Sequence, residues 1–252
     1  MKTLTKKILI IGFICALLTP FAYSQDGDHI RGGRFTKIIE YNQLVLGNTY
    51  NFNSKGDTEK RLFGDFNAPV EFFYSSGGGV SGFRIIRDTL KLSYFLEIKY
   101  ISNYKEAWAE ASSKYPTKGV SSIATTPEDT LDKISVQNGE NIKTVAELRI
   151  QLFKVETRSF PISDQFAERL YEKMVSVIDN FKARGVPPFI LDGYLVTFRA
   201  TVDDNELWTL KIHMPKGNAL KWSDICGQII TETLATEKID ESKYIKILDE
   251  FN

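Results

Sequence analysis

The strongest hydrophobic periodicity in the chain runs from Phe160 to Leu234. Ser163 and Asp164 open a helix there, a hydroxyl suited to cap free N–H groups and an acid at the positive helix end. Phe166, Leu170, Met174, Val177, Ile178 and Phe181 follow at three- and four-residue steps, with Glu168, Arg169, Glu172, Lys173 and Asp179 on the other side. This spacing predicts an amphipathic helix packed on a sheet and ending near Gly185, before Pro187-Pro188. Its mixed polar face argues against a membrane-surface role. Asp192-Gly193 then turns into a hairpin. A three-residue loop, Asp203-Asp204-Asn205, pairs Val202 with Glu206, Ala200 with Trp208, Phe198 with Leu210 and Val196 with Ile212. That register gathers nearly every apolar side chain on one face, and lengthening the loop by one residue would mix the faces. Asn205 suits the left-handed position such a loop needs. A helix from Asn218 or Ser223 to about Thr236 follows. A last helix is capped by Asp240, with Tyr244, Ile245, Leu248 and Phe251 inward.

The first half is less regular. A strand is expected over Thr36–Tyr41, and Asn48–Asp65 reads as polar and turn-rich. Val70, Phe72 and Tyr74 share one side of a strand. Ser75-Ser76-Gly77-Gly78-Gly79 reads as a flexible connection between strands rather than a phosphate loop, because a strand, Gly82–Arg87, follows instead of a helix N-terminus. In Leu90–Ile101, Leu90, Leu92, Tyr94, Leu96, Ile98 and Tyr100 share a face. A tight turn at Asp88-Thr89 would pair Arg87 with Leu90, Ile85 with Leu92 and Phe83 with Tyr94. Asn103 caps a helix to about Lys114 with Ala107, Trp108 and Ala111 inward. Residues 116–140 read as a linker or long loop, and Val145–Thr157 as a strand. Together these elements predict an α+β protein of antiparallel sheet with helices packed on one face. The expected divisions are 1–24, 25–34, 35–115, 116–140 and 141–252, with 35–115 and 141–252 forming one domain or two.

The N-terminus changes the picture of where the chain works. Lys2, Lys6 and Lys7 precede an apolar run, Ile8–Leu18, that is short for a membrane span. Pro20 and Ala22-Tyr23-Ser24 follow, so residues 1–24 read as a secretory signal cleaved before Gln25. Phe13-Ile14 before Cys15 do not suit lipidation. Gln25–Arg34, which includes His29, reads as a loosely held leader. The expectation is an exported bacterial protein of the periplasm or the extracellular space, without stable membrane insertion after cleavage.

Charge and cysteine narrow the chemistry. Lys and Arg number 32, Asp and Glu 32, so removal of the lysine-bearing signal leaves a slightly acidic chain, a balance that does not suit nucleic acid. Beyond the signal only Cys226 remains, so no internal disulfide forms and the core must supply the stability. Trp222, Cys226, Ile229 and Ile230 share a helix face, which makes Cys226 a core residue rather than a nucleophile. The hairpin register places Thr197, Arg199, Thr209, Lys211 and His213 opposite Trp208. Arg199, Lys211 and His213, with Asp192 near one end, therefore form a candidate cationic patch for a protein partner or a small anionic ligand. No motif calls for a cofactor or a metal. The leading expectation is a non-enzymatic binding or interaction protein using an exposed sheet face. The alternatives are a hydrolase using His213 with a carboxylate such as Asp192, and a subunit of a cell-envelope assembly.

Overall fold

The computed structural model describes residues 39–40, 43–44, 55–88, 90, 92–119, 127–181, 193–202 and 206–251. The signal segment, the leader, Asp192 and the Asp203-Asp204-Asn205 turn lie outside the described residues. Eight strands are present among them: β1 (Ile39–Glu40), β2 (Gln43–Leu44), β3 (Val70–Ser76), β4 (Gly79–Asp88), β5 (Ser93–Ile101), β6 (Val155–Ile162), β7 (Tyr194–Val202) and β8 (Glu206–His213). The helices are α1 (Asp57–Phe63), α2 (Tyr104–Lys114), α3 (Glu128–Leu152), α4 (Asp164–Asn180), α5 (Gly217–Thr236) and α6 (Glu241–Glu250). Strands β1 and β2 pair with each other, and the other six form one antiparallel sheet in the order β6-β5-β4-β3-β7-β8. The α+β class is as expected. Strand β3 pairs with β4 on one side and β7 on the other, so strands from both halves of the chain share this sheet.

Strand alternation sends Val70, Phe72, Phe83, Ile85, Leu96, Ile98, Val196, Phe198, Ala200, Trp208, Leu210 and Ile212 to one face. There they meet the apolar stripes of α4, α5 and α6 in the main core. Phe198 stacks on Phe72 with ring centroids 5.7 Å apart, and Phe72 meets Phe83 at 5.6 Å. The β7–β8 register is the one the apolar pattern requires, with Val196, Phe198, Ala200 and Val202 opposite Ile212, Leu210, Trp208 and Glu206. Two expected caps agree: Ser163 Oγ accepts from Phe166 N at 3.2 Å, and Asp240 Oδ1 accepts from Lys243 N at 3.1 Å. Asn103 stands at the start of α2 but its side chain does not cap it, donating instead to the Leu152 carbonyl and accepting from Lys154 N.

Helices cover the second face as well, over part of its area. A smaller core of Leu62, Phe63, Phe73, Val80, Ile101, Ala107 and Phe153 joins α1, α2 and the end of α3 to the sheet. Gly82 makes this possible. A Cβ there would lie 2.3 Å from the Phe72 carbonyl oxygen and 2.8 Å from Phe63 Cζ, so the Phe63 ring sits on bare backbone.

Four expectations need correction. The stretch ending at Asp65 contains helix α1 rather than turns alone. Residues 128–152, read as the end of a linker and the start of a strand, are the 25-residue helix α3, and the strand begins at Val155. In the β4–β5 hairpin Arg87 pairs with Tyr94, Ile85 with Leu96 and Phe83 with Ile98. This slip of four keeps every residue on its expected face, so alternation could not distinguish the two registers. Leu90 and Leu92 fall in the loop and are exposed, and the Asp88 carboxylate accepts from Leu90 N at 3.0 Å. Trp108 is exposed, because a helix turns about 100° per residue and Ala107 and Ala111 already occupy the inner face.

Buried at the α5–α6 junction, Tyr244 donates to Glu232 Oε2 at 2.8 Å. Burial first, and the Glu232 carboxylate second, push its phenol well above the ordinary tyrosine range. The folded state therefore keeps this proton after the unfolded chain has released it. Stability from Tyr244 is complete below the unfolded value, near pH 10, and declines as pH rises above it. Urea melts should show stability falling less steeply between about pH 9 and 11 in Tyr244→Phe than in the parent. Equal slopes would contradict the assignment.

Candidate functional site

The register puts Thr197, Arg199, Thr209, Lys211 and His213 on the second face, as the sequence requires. The open cationic patch expected there does not form. Arg199, Thr197 and Thr209 are buried, with Arg199 1% exposed, while Lys211 and His213 are half-buried. Asp192 lies outside the described residues. The cover over Arg199 comes from α1, 140 residues away along the chain.

What the sheet assembles instead is a cross-strand row. Pairing aligns Glu97, Arg84, Glu71, Arg199 and Thr209 on successive strands from β5 to β8. Charges alternate along it. Arg84 Nε donates to Glu97 Oε1 at 2.6 Å. Arg199 Nη1 donates to Glu71 Oε2 at 2.9 Å and also to Glu59 Oε1 on α1, and Nε donates to Thr209 Oγ1 at 3.2 Å. Lys55 Nζ donates to Glu71 Oε1 at 3.0 Å and to the Phe66 carbonyl, and the same carboxylate oxygen accepts from Ala68 N at 2.8 Å. Lys55, Glu59, Glu71 and Arg199 thus form a buried, charge-balanced group of two cations and two anions.

The electrostatics follow from burial against pairing. Desolvation pulls the Lys55 ammonium below the ordinary lysine range, and Glu71 only partly restores it. Desolvation also opposes the Arg199 charge, but Glu59 and Glu71 outweigh it and hold the guanidinium above its ordinary value. Such a group fastens α1, since a helix of seven residues has little stability of its own. Arg84 adds to the clasp, donating from Nη1 to the Phe63 carbonyl at 3.0 Å.

The sheet itself separates His213 from Cys226. Cys226 is fully buried in the main core, where desolvation pushes its thiol well up, and His213 projects from the opposite face. These two side chains form no nucleophile–base pair. The imidazole lies close to Gly193: a Cβ there would be 3.2 Å from His213 Nε2 and 2.6 Å from Met214 Sδ, and Gly193 has φ +120°.

A second feature was not anticipated. Helices α2 and α3 pack together as an arm. Leu131, Ile134, Asn138, Asn141, Val145, Leu148 and Leu152 form a half-buried stripe along α3 at three- and four-residue steps. Two asparagines interrupt its apolar character, and both serve the chain after α2. Asn138 exchanges hydrogen bonds with the Lys118 backbone at 2.8 and 2.9 Å, and Asn141 Nδ2 donates to the Pro116 carbonyl at 2.8 Å. No residue of α3 is buried. Trp108, Tyr115, Val136 and Ile142 are large apolar side chains exposed on the arm.

Among the described residues no helix is long and apolar enough to cross a membrane, and no group of three or more His, Cys, Asp and Glu could hold a metal ion. Comparison with known proteins finds no match: no family model, no curated protein and no solved structure is similar to this chain.

Proposed function

We propose that this chain is an exported, non-enzymatic interaction protein that engages a protein partner through the α2–α3 arm. The observation that carries the reading is α3, a 25-residue helix without a buried residue, beside which Trp108, Tyr115, Val136 and Ile142 stand exposed. Tryptophan and tyrosine are among the side chains that most often dominate protein interfaces. Export rests on the N-terminal Lys2–Ser24 pattern. The arm replaces the β7–β8 face as the expected contact, because Arg199 on that face is buried in ion pairs with Glu59 of α1 and Glu71 of β3.

The test is capture from the native cell envelope with the full chain, read by quantitative mass spectrometry and followed by affinity measurement on the captured partner. Trp108→Ala should keep its melting temperature and weaken the partner by about 2 kcal/mol, roughly 30-fold in Kd. Lys211→Gln, on the sheet, should leave Kd unchanged. A partner lost with Lys211→Gln and kept by Trp108→Ala would return the contact to the sheet and end this reading.

A further inference from the structure

The six-stranded sheet ends at β6, and among the described residues no strand pairs beyond it. The opposite edge, β8, has β1 alongside. On β6, Glu156, Thr157, Arg158 and Ser159 are all exposed, so both faces of the edge are open there. The direction of the backbone groups follows from the start of the strand. Ser102 N donates to the Lys154 carbonyl at 3.0 Å, and Lys154 N donates to Asn103 Oδ1 at 2.7 Å, so both backbone groups of Lys154 point toward the β5 side. The β5–β6 register then runs unbroken from Val155 to Ile162. In an antiparallel ladder these directions alternate, so Val155, Thr157, Ser159 and Pro161 turn their backbone groups outward. Pro161 fits this parity, because an edge strand tolerates proline where the missing N–H would face away from the ladder.

An open edge is a template for another strand, and charged side chains ordinarily deter such pairing. On β6 their order has the opposite effect. Glu156 and Arg158 flank Thr157 and share one face. If a second β6 pairs antiparallel about a twofold axis at Thr157, Glu156 of each copy stands opposite Arg158 of the other, twice per dimer. The same register sets the outward groups of Val155 opposite those of Ser159, so residues 155–159 pair before Pro161 is reached. The adjacent registers of the same parity are repulsive. One puts Glu156 opposite itself and Arg158 opposite Lys154, and the other puts Arg158 opposite itself. Existing contacts leave both side chains accessible. Glu156 accepts from Tyr100 Oη at 2.6 Å, and Arg158 lies 3.8 Å from Glu237, with those two side chains 49% and 64% exposed.

We propose that β6 joins β6 of a second copy in this register, forming a twofold-symmetric dimer with a continuous sheet. The surface is separate from the arm, and its test reads self-association alone. Sedimentation equilibrium of the purified chain should show a monomer–dimer equilibrium. Glu156→Lys and Arg158→Glu should each weaken the dimer roughly tenfold, and the two reversals combined should restore it. Thr157→Pro removes an outward N–H from each copy and should abolish association, whereas Trp108→Ala should leave it intact. The charge reversals sit at exposed positions, so their mutual rescue reads the register even where Thr157→Pro disturbs the strand. A strict monomer would overturn the proposal and leave the edge to a strand of a different protein. A dimer that survives Thr157→Pro, or single reversals that the double reversal does not rescue, would overturn it as well.

Discussion

Replacing Arg199 by methionine should cost about 3–5 kcal/mol of folding free energy, because removing one partner from a buried ion cluster leaves the others uncompensated. The side chain is 1% exposed, as is that of Glu71, and that of Glu59 is 3% exposed. With Arg199 gone, two carboxylates face Lys55 alone, away from water. Urea unfolding monitored by circular dichroism would measure the loss. Arg199→Met combined with Glu59→Leu leaves only the Lys55–Glu71 pair, which is neutral, and should recover most of it. A single-variant loss below about 1 kcal/mol would place Arg199 in the range of exposed ion pairs, and α1 would then not seal the face.

That cluster also shows where the sequence stops being legible. The parity of β7 and β8 was readable, since one apolar face admits only one register. What covers the other face was not, because Glu59 and Glu71 lie 140 and 128 residues from Arg199. A local signal did exist. Phe73 shares its side of β3 with Glu71, and the pair Glu71–Phe73 on a supposedly solvated face indicates a second covered surface. Helix α3 is obscured in the sequence for a different reason. Asn138 and Asn141 break its apolar stripe to hold the Pro116 and Lys118 backbone, so Leu148, Ile150 and Leu152 read more easily as a strand. Strand β5 kept its faces yet changed its partners by four residues, a shift that period-two alternation cannot detect. The helical pattern groups Trp108 inward with Ala107 and Ala111, and its exposure is what makes the arm the candidate contact surface.

Phe198→Ala should cost a similar amount, about 3–5 kcal/mol, through a different mechanism. Phe198 is the residue before Arg199 on the same strand, so it points to the opposite face and is fully buried in the main core. Its ring stacks on Phe72 and faces Leu210 across β7–β8. Truncation removes apolar surface and leaves a cavity between two strands whose hydrogen bonds resist collapse. The two neighbours are therefore distinguished by what rescues them. Volume should restore the core site, so Phe198→Leu should lose less than half as much as Phe198→Ala, while deleting a buried carboxylate should do nothing for it. At position 199 the order reverses: methionine already supplies volume, and only removal of the orphaned charge helps. Because the two sites lie on opposite faces of one strand without shared partners, Glu59→Leu should leave the Phe198→Ala loss unchanged within about 0.5 kcal/mol. Coupling larger than that would mean that the two cores unfold as a linked pair through β7, contrary to the independence that the separate faces imply.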